Sequence, residues 1–402
     1  MRAMLPRLAK IYDVGAALYF LALLMLPGLL FVGGMRARAF EERPLYEFPE
    51  FSAGQLLNPA FYERLNNALT DRNPLREAAV IANARFSQKV FGDISGRQVV
   101  KGLDGWIFIS QSLTTPCVDS EALERQVGAV ERLSRAASAA GAPMLFVVAP
   151  NKASVYPEKM SPAARVLGEC AARNRETLRS ILSQSSLNYS DQWDAMARLR
   201  LEHPDMPVYV PDETHWTEYG SAEFVRTIVE RFANEMEIAP TMLAGAEVRK
   251  PDLSRMAGIY AERELPVVKF ARPGMHHRNN QELAHQGPGR PFVHVTSSST
   301  EAPLSPRRIL FIHDSFMYVA WDQVSQYFSD VLYVHWTALT PDRLSALVRE
   351  ADAIVVETVE REAFARLAEF FSDETLAVAV EAAADAPQTE TEIVWPRASE
   401  QP

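Results

Sequence analysis

The chain has 402 residues, 48% of them apolar and 23% charged, an ordinary globular composition with enough material for one large core or two smaller ones. Its formal net charge of −10 argues against general nucleic-acid binding, which calls for a basic face, and means that any anionic polymer must be met by a local basic patch. Two cysteines, Cys117 and Cys170, cannot alone make a zinc site; in an exported chain they are expected to form one disulfide.

The run VGAALYFLALLMLPGLLFVGG, Val14 to Gly34, carries no charge. At roughly 20 residues it is long enough to span a bilayer as a helix, and longer than the about 7–15 apolar residues of a cleavable signal. Ala37-Arg38-Ala39 mimics a cleavage site, but the intervening Arg36 and the long run favour an uncut anchor. Arg2, Arg7 and Lys10 precede the run and only Arg36 and Arg38 follow it, which favours an inside N-terminus with the bulk of the chain outside.

A proline-containing extended linker follows, and residues 55–92 read as helical, interrupted at Asp71-Arg72-Asn73-Pro74 because proline disfavours helix in the residue before it. Val99–Ser110 suggests a hairpin around Gly102 and Gly105. Leu123, Val127, Val130 and Leu133 lie at helical spacing within Ser120–Ala140. Met144–Ala149 (MLFVVA) is a continuous apolar run, as expected of a strand buried on both faces. Then come a helix through Ala172–Ser183, a short strand at Pro207–Val210, and a helix from Thr217 to Met236 with Thr217 as N-cap.

Residues 271–306, rich in Gly, Pro, Ser and His, read as a loop-rich excursion with one strand at Phe292–Thr296. Beyond it alternate strand Arg308–His313, a helix near Tyr318–Phe328, strand Val331–His335, helix Pro341–Glu350, strand Ala353–Glu357 and helix Glu360–Phe371. Strands alternating with helices imply an α/β domain with a parallel sheet covered on both faces. The expected layout is a cytoplasmic stub and transmembrane anchor (1–40), a linker and helical lead-in (41–95), a catalytic domain (96–382) and a disordered tail (383–402).

Two segments carry chemistry. In Arg308–Phe316 an apolar strand ends in the polar turn His313-Asp314-Ser315, and parallel sheets bind ligands at the carboxyl ends of their strands. Ser315 there is a candidate nucleophile with backbone N–H groups following it for an oxyanion; the competing reading is a helix cap. In Pro211–Thr217, His215 has Asp212 and Glu213 three and two residues before it. A serine hydroxyl needs a histidine to take its proton and a carboxylate to hold the imidazole, so His215 is the candidate base. Trp216 stacks on a sugar or, more commonly, fills a core. His276, His277, His285 and His294 show no ligand spacing and read as solvated loop histidines, so neither a metal nor a cofactor is expected.

Together these segments resemble the AlgJ/AlgX-like SGNH-hydrolase family, whose members O-acetylate bacterial exopolysaccharides in the periplasm. The resemblance runs through Glu42-Arg43-Pro44-Leu45 with Phe48-Pro49, Asp71–Arg76, Gly102-Leu103-Asp104-Gly105-Trp106-Ile107-Phe108, Ala149-Pro150-Asn151-Lys152 with Tyr156-Pro157, and Glu357-Thr358-Val359-Glu360-Arg361. It implies an SGNH-like sheet, Ser315 as nucleophile in a Gly-Asp-Ser-Phe-like motif and His215 as base in an Asp-x-His-Trp-like motif. His313 stands where the family has glycine. The family's acid falls on Glu213, whereas Asp212 fits the wider SGNH Asp-x-x-His spacing; both are candidates, and the shorter, more rigid side chain favours Asp212.

The resemblance further implies a polysaccharide substrate, a membrane-bound O-acyltransferase that supplies acetyl, and a single-pass inner-membrane protein with its catalytic domain in the periplasm. With no carbohydrate-binding module after residue 372, the chain looks more AlgJ-like than AlgX-like. The competing functions are a carbohydrate acetylesterase and a non-catalytic assembly or binding component of a polysaccharide secretion complex.

Overall fold

The structure is a computed structural model that describes residues 5–37, 45–52, 54–91, 98–236, 241–259, 262–279, 292–368 and 374–385. The chain divides into two compact units, Met1–Gly96 with Lys250–Ala261, and Arg97–Arg249 with Glu262–Pro402.

In the first unit, helix Leu5–Val32 contains a 19-residue stretch, Val14–Val32, long and apolar enough to cross a membrane and with none of it buried. Helices Pro59–Asp71 and Arg76–Phe91 follow, broken where Asn73-Pro74 predicts. Asn58 caps the first of these by accepting from Ala60 N–H at 3.0 Å, with Pro59 at the first helical position. Asp71 at its end accepts from Tyr46 N–H at 3.2 Å, which ties down the segment after the apolar helix.

The second unit opens with a hairpin of β1 (Val99–Lys101) and β2 (Ile107–Ile109), turned through Asp104 and Gly105, both at positive φ. Its main sheet contains β3 (Met144–Ala149), β4 (Tyr189–Ser190), β7 (Met275–Asn279), β8 (Phe292–Ser299), β9 (Ser305–His313), β10 (Phe328–His335) and β11 (Ala353–Val359). The order is β4-β3-β11-β9-β10-β8-β7. The first five strands are parallel, as the alternating pattern implies, and β8 and β7 add antiparallel.

Because side chains alternate across a strand, each central strand feeds two cores. Ile309 and Phe311 of β9, with Val355 of β11, pack under helix Glu218–Phe232 and its Phe224, Ile228 and Val229. Leu310 and Ile312, with Val356, pack under helices Ser120–Ala139, Glu169–Gln184, Pro341–Glu350 and Glu374–Asp385. Each fully buried side chain of this size contributes about 1.5–3 kcal/mol. A cap contributes about 1 kcal/mol. Burial therefore holds helix Glu218–Phe232 in place, while Thr217, whose Oγ1 accepts from Gly220 N–H at 3.0 Å, sets where it starts.

The helix after β9 (Met317–Val324) packs on the first core and the helix after β10 (Pro341–Glu350) on the second. Two neighbouring strands whose helices leave to opposite faces open a crevice at their carboxyl ends. Ser315 follows β9 at that edge.

The structure departs from the sequence reading at several places, among them a helix at Gln192–Glu202 that it did not contain. The stretch 271–306 is not mainly loop: β7, β8 and the start of β9 lie in it, and its residues 280–291 fall outside the described residues. Exposed His276, His277 and Arg278 on edge strand β7 erase the apolar alternation that marks a strand. Pro207–Val210 pairs in no ladder, although Val208 C=O accepts from Thr217 N–H at 3.0 Å. A second hairpin, β5 (Thr241–Arg249) with β6 (Arg263–Ala271), escapes the sequence because β5 is exposed along almost its whole length. Helix Glu374–Asp385 extends past residue 382, and the remainder of the expected tail, 386–402, lies outside the described residues.

Cys117 and Cys170 are joined as a disulfide 53 residues apart in sequence. Asn174 secures the same segment, donating to Pro116 C=O at 2.7 Å and accepting from Val118 N–H at 2.9 Å. Closing a loop of this length restricts the unfolded chain, so Cys117→Ser/Cys170→Ser is expected to cost about 2–4 kcal/mol in denaturant unfolding. An unchanged midpoint under oxidising conditions would contradict the pairing.

Candidate active site

Past β9 the chain makes the turn Asp314-Ser315-Phe316 before helix Met317–Val324. Asp314 builds this turn: Oδ1 accepts from Phe316 N–H at 2.9 Å and Oδ2 from Val359 N–H, at the end of β11, at 2.7 Å. Its carboxylate also faces Arg366 at 3.3 Å, both side chains being buried. Burial works to raise its pKa, but Arg366 and the two N–H donors outweigh it and hold the carboxyl below its ordinary value. Asp314 is thus committed to shaping the turn. Ser315 does not cap the helix; its half-buried hydroxyl lies 2.9 Å from His215 Nε2. The Ser315 N–H finds no acceptor among the described residues.

His215 arrives on the loop between Val210 and helix Glu218–Phe232. Buried Lys152, just past β3, donates to the carbonyls of Pro211 at 2.8 Å, Glu213 at 2.7 Å and Val210 at 3.4 Å. It thereby grips the three peptides that lead to the histidine. Trp216 fills the core, as its commoner role predicts, and its Nε1–H donates to Phe316 C=O at 3.0 Å. The His215 and Phe316 rings lie 5.0 Å apart. These contacts, with the Trp216 and Phe316 rings 5.3 Å apart, join two chemistry-bearing loops that lie 100 residues apart in sequence.

The two candidate acids differ in setting. Asp212 is buried and its Oδ2 accepts from Arg263 Nη1 of β6 at 2.7 Å. Glu213 is half-buried and lines a cavity of about 210 Å3 beside His215, with Trp216, Arg249, Leu265 and Val319. Nε2 of His215 is taken by Ser315, so Nδ1 is the nitrogen an orienting carboxylate must address.

Below the turn, Glu357 of β11 accepts from Asp314 N–H at 3.1 Å. Burial and the adjacent Asp314 charge push its carboxyl well above the ordinary value, toward the neutral acid. Glu360, also raised by burial, gathers Asn151 N–H, Trp193 Nε1–H and the Ser154 hydroxyl at 2.8–2.9 Å. Arg361 reaches Asn151 Oδ1 at 3.4 Å and lies over the Phe316 ring at 5.1 Å. These residues explain the Glu-x-x-Glu-Arg segment as the floor of the site.

The sequence reading missed roles for Lys152, Arg263 and Arg366. The signal for Lys152 was its place directly after an apolar strand, at the sheet's carboxyl edge; the two arginines left none. The loop histidines also need correction: His277 on β7 bonds Ser297 Oγ at 2.8 Å, and buried His294 on β8 bonds Asp330 at 2.9 Å. His285 lies outside the described residues. Among the described residues no group of His, Cys, Asp and Glu is placed to hold a metal.

Residues 99–278 match the family described as SGNH hydrolase-like domain, acetyltransferase AlgX, a span that includes His215 but not Ser315. The chain is 25% identical over 189 residues to the probable alginate O-acetylase AlgJ of Pseudomonas aeruginosa, covering 47% of this chain and only 39% of that protein. The O-acetyltransferase domain of Pseudomonas putida AlgJ aligns with a TM-score of 0.41 and 17% identity, over 66% of this chain and 91% of that one. Bacillus cereus PatB1 with a sulfonyl adduct aligns at 0.50 and 12%, over 70% and 99% respectively, a likeness of fold.

The raised Glu357 gives a pH prediction. A carboxyl with a raised folded-state pKa contributes stability fully present below about 4.5, its ordinary value, and lost as pH rises toward the folded value. Glu357→Gln keeps the acceptor and removes the titration. The melting temperature of the variant minus that of wild type should therefore grow between pH 4 and pH 8. A difference that stays flat across that range would mean Glu357 is ionised in the native protein.

Proposed function

We propose that the chain, which is similar to the AlgJ/AlgX-like SGNH-hydrolase family, is a serine O-acetyltransferase acting on a bacterial exopolysaccharide or cell-surface glycan through an acetyl-serine intermediate. The observation that carries this reading is the 2.9 Å contact between His215 Nε2 and Ser315 Oγ. It puts a base within proton-transfer reach of a half-buried hydroxyl at the carboxyl edge of the sheet.

The reaction runs in two halves. His215 takes the Ser315 proton as Oγ attacks the acetyl carbonyl, and the imidazolium returns that proton to the departing group of the donor. In this reading the Ser315 N–H, which has no acceptor among the described residues, meets the developing oxyanion. A sugar hydroxyl then gives its proton to His215, attacks the acetyl-serine carbonyl, and leaves as the sugar acetate while Ser315 recovers the proton. We assign the orienting carboxylate to Asp212. It is buried and braced by Arg263, whereas Glu213 turns toward the cavity where substrate would enter.

The N-terminal apolar helix fits a single-pass anchor. In this reading it keeps the domain at the outer face of the inner membrane, beside a membrane-bound O-acyltransferase that supplies acetyl. Water reaching the acetyl-serine would turn the same chemistry into ester hydrolysis, so hydrolysis of an activated aryl acetate is the accessible assay.

Full-length protein in detergent should hydrolyse an aryl acetate. Ser315→Ala and His215→Ala should each lower kcat by about 10³-fold or more, with the double variant no lower than the worse single one. Adding a glycan acceptor should divert product from free acetate to sugar acetate. Equal rates for wild type and a folded Ser315→Ala would remove Ser315 as nucleophile.

A further inference from the structure

We propose that His313 is a positioning residue for oxyanion stabilisation, acting by fixing the Asp314–Ser315 peptide plane; this rests on Ser315 being the nucleophile, as argued above. His313 ends β9 and is buried. Its Nδ1 lies 2.6 Å from the carbonyl oxygen of Asp314, the next residue. A carbonyl only accepts, so Nδ1 carries the proton and donates it. Met317 N–H also reaches that oxygen, at a longer 3.3 Å.

The consequence follows from peptide geometry. The Asp314 C=O and the Ser315 N–H belong to one planar trans unit and point in opposite directions; no cis bond occurs among the described residues. Whatever draws the carbonyl one way aims the N–H the other way. The His313 ring sits in a cluster with Tyr318, Tyr333 and His335, at centroid distances of 5.6, 6.1 and 6.0 Å. The carbonyl is thus pinned on the side of the imidazole, and the Ser315 N–H is aimed away from it, without an acceptor among the described residues. Donation into the carbonyl also polarises the peptide and strengthens its N–H as a donor.

The neighbouring peptide cannot replace this anchor, because Phe316 N–H is already committed to Asp314 Oδ1 at 2.9 Å. A glycine at position 313 would supply no donor at all. In this chain the histidine therefore adds a short anchor to the longer one that Met317 N–H makes to the same oxygen.

Two substitutions separate the donor from the ring. His313→Phe keeps a packed aromatic and removes the N–H; His313→Asn loses the ring but places an amide N–H where Nδ1 stands. On aryl acetate hydrolysis by the full chain, His313→Phe should lose about 10- to 100-fold in kcat with KM little changed, less than the roughly 10²–10³ of deleting an oxyanion donor itself. His313→Asn should recover most of that loss. If Phe retains activity and Asn does not, the ring's packing is what counts and the proposal is wrong. A second readout stands apart from activity: long-range proton–nitrogen NMR of histidine-labelled protein, with His313 assigned by its loss in the Asn variant. A neutral Nδ1–H tautomer is expected, and an Nε2–H tautomer overturns the anchor. Should wild type hydrolyse no ester, the nucleophile assignment falls, while the tautomer still decides whether His313 pins the peptide.

Discussion

The buried carboxylate of Asp314 joins the ends of two neighbouring parallel strands. One oxygen closes the turn after β9 on Phe316 N–H, and the other holds Val359 N–H at the end of β11 while facing Arg366. Taking such a pair out of water is costly, and removing one partner of a buried pair typically costs about 3–5 kcal/mol. Its effect is geometric specification more than net stability: with both oxygens committed, the turn has one conformation and Ser315 is presented at one place on the sheet's edge. Glu357 beneath it accepts the Asp314 N–H, and burial together with the Asp314 charge pushes its own carboxyl toward the neutral form.

The His215 loop is fixed in a different way. It has no ladder to hold it, since Pro207–Val210 joins no sheet. Lys152 takes the place of that ladder, with one ammonium collecting three carbonyls in the loop. Trp216 then ties the loop to Phe316, and Arg263 braces Asp212. Each loop is thus set by charged groups, buried Asp314 and Arg366 for one and buried Lys152 for the other, and the hydrogen bond between His215 and Ser315 is what remains when both are in place. The arrangement meets the need for rotamers locked by surrounding contacts, without which a pair of this kind drifts out of reach.

What could be read from the sequence follows the strength of local signals. MLFVVA and ILFI are continuous apolar runs, and both proved to lie in central strands buried on both faces. Thr217 could be read as a cap because its position before a periodic run has a local cause. The β5–β6 hairpin and edge strand β7 could not, because exposed strands carry no alternation. At the site, Ser315 and His215 were visible as residues with the right chemistry in the right kind of loop. Their partners were not: Glu357 and Arg366 meet Asp314 only because the sheet order sets β11 beside β9, and Arg263 comes from the β5–β6 hairpin outside that sheet. His313 stood out as a departure from a glycine, but its effect on the peptide plane needed the 2.6 Å contact to be seen.

The central claim is that an acetyl group passes through Ser315. Full-length protein can be mixed with an aryl acetate, quenched in acid at times shorter than one turnover, digested, and read by peptide mass spectrometry. The account predicts one added acetyl group on the peptide that contains Ser315, absent after Ser315→Ala and cleared faster when a glycan acceptor is present. Acetate released at wild-type rate with no acetyl on that peptide, or with the label elsewhere, would contradict it.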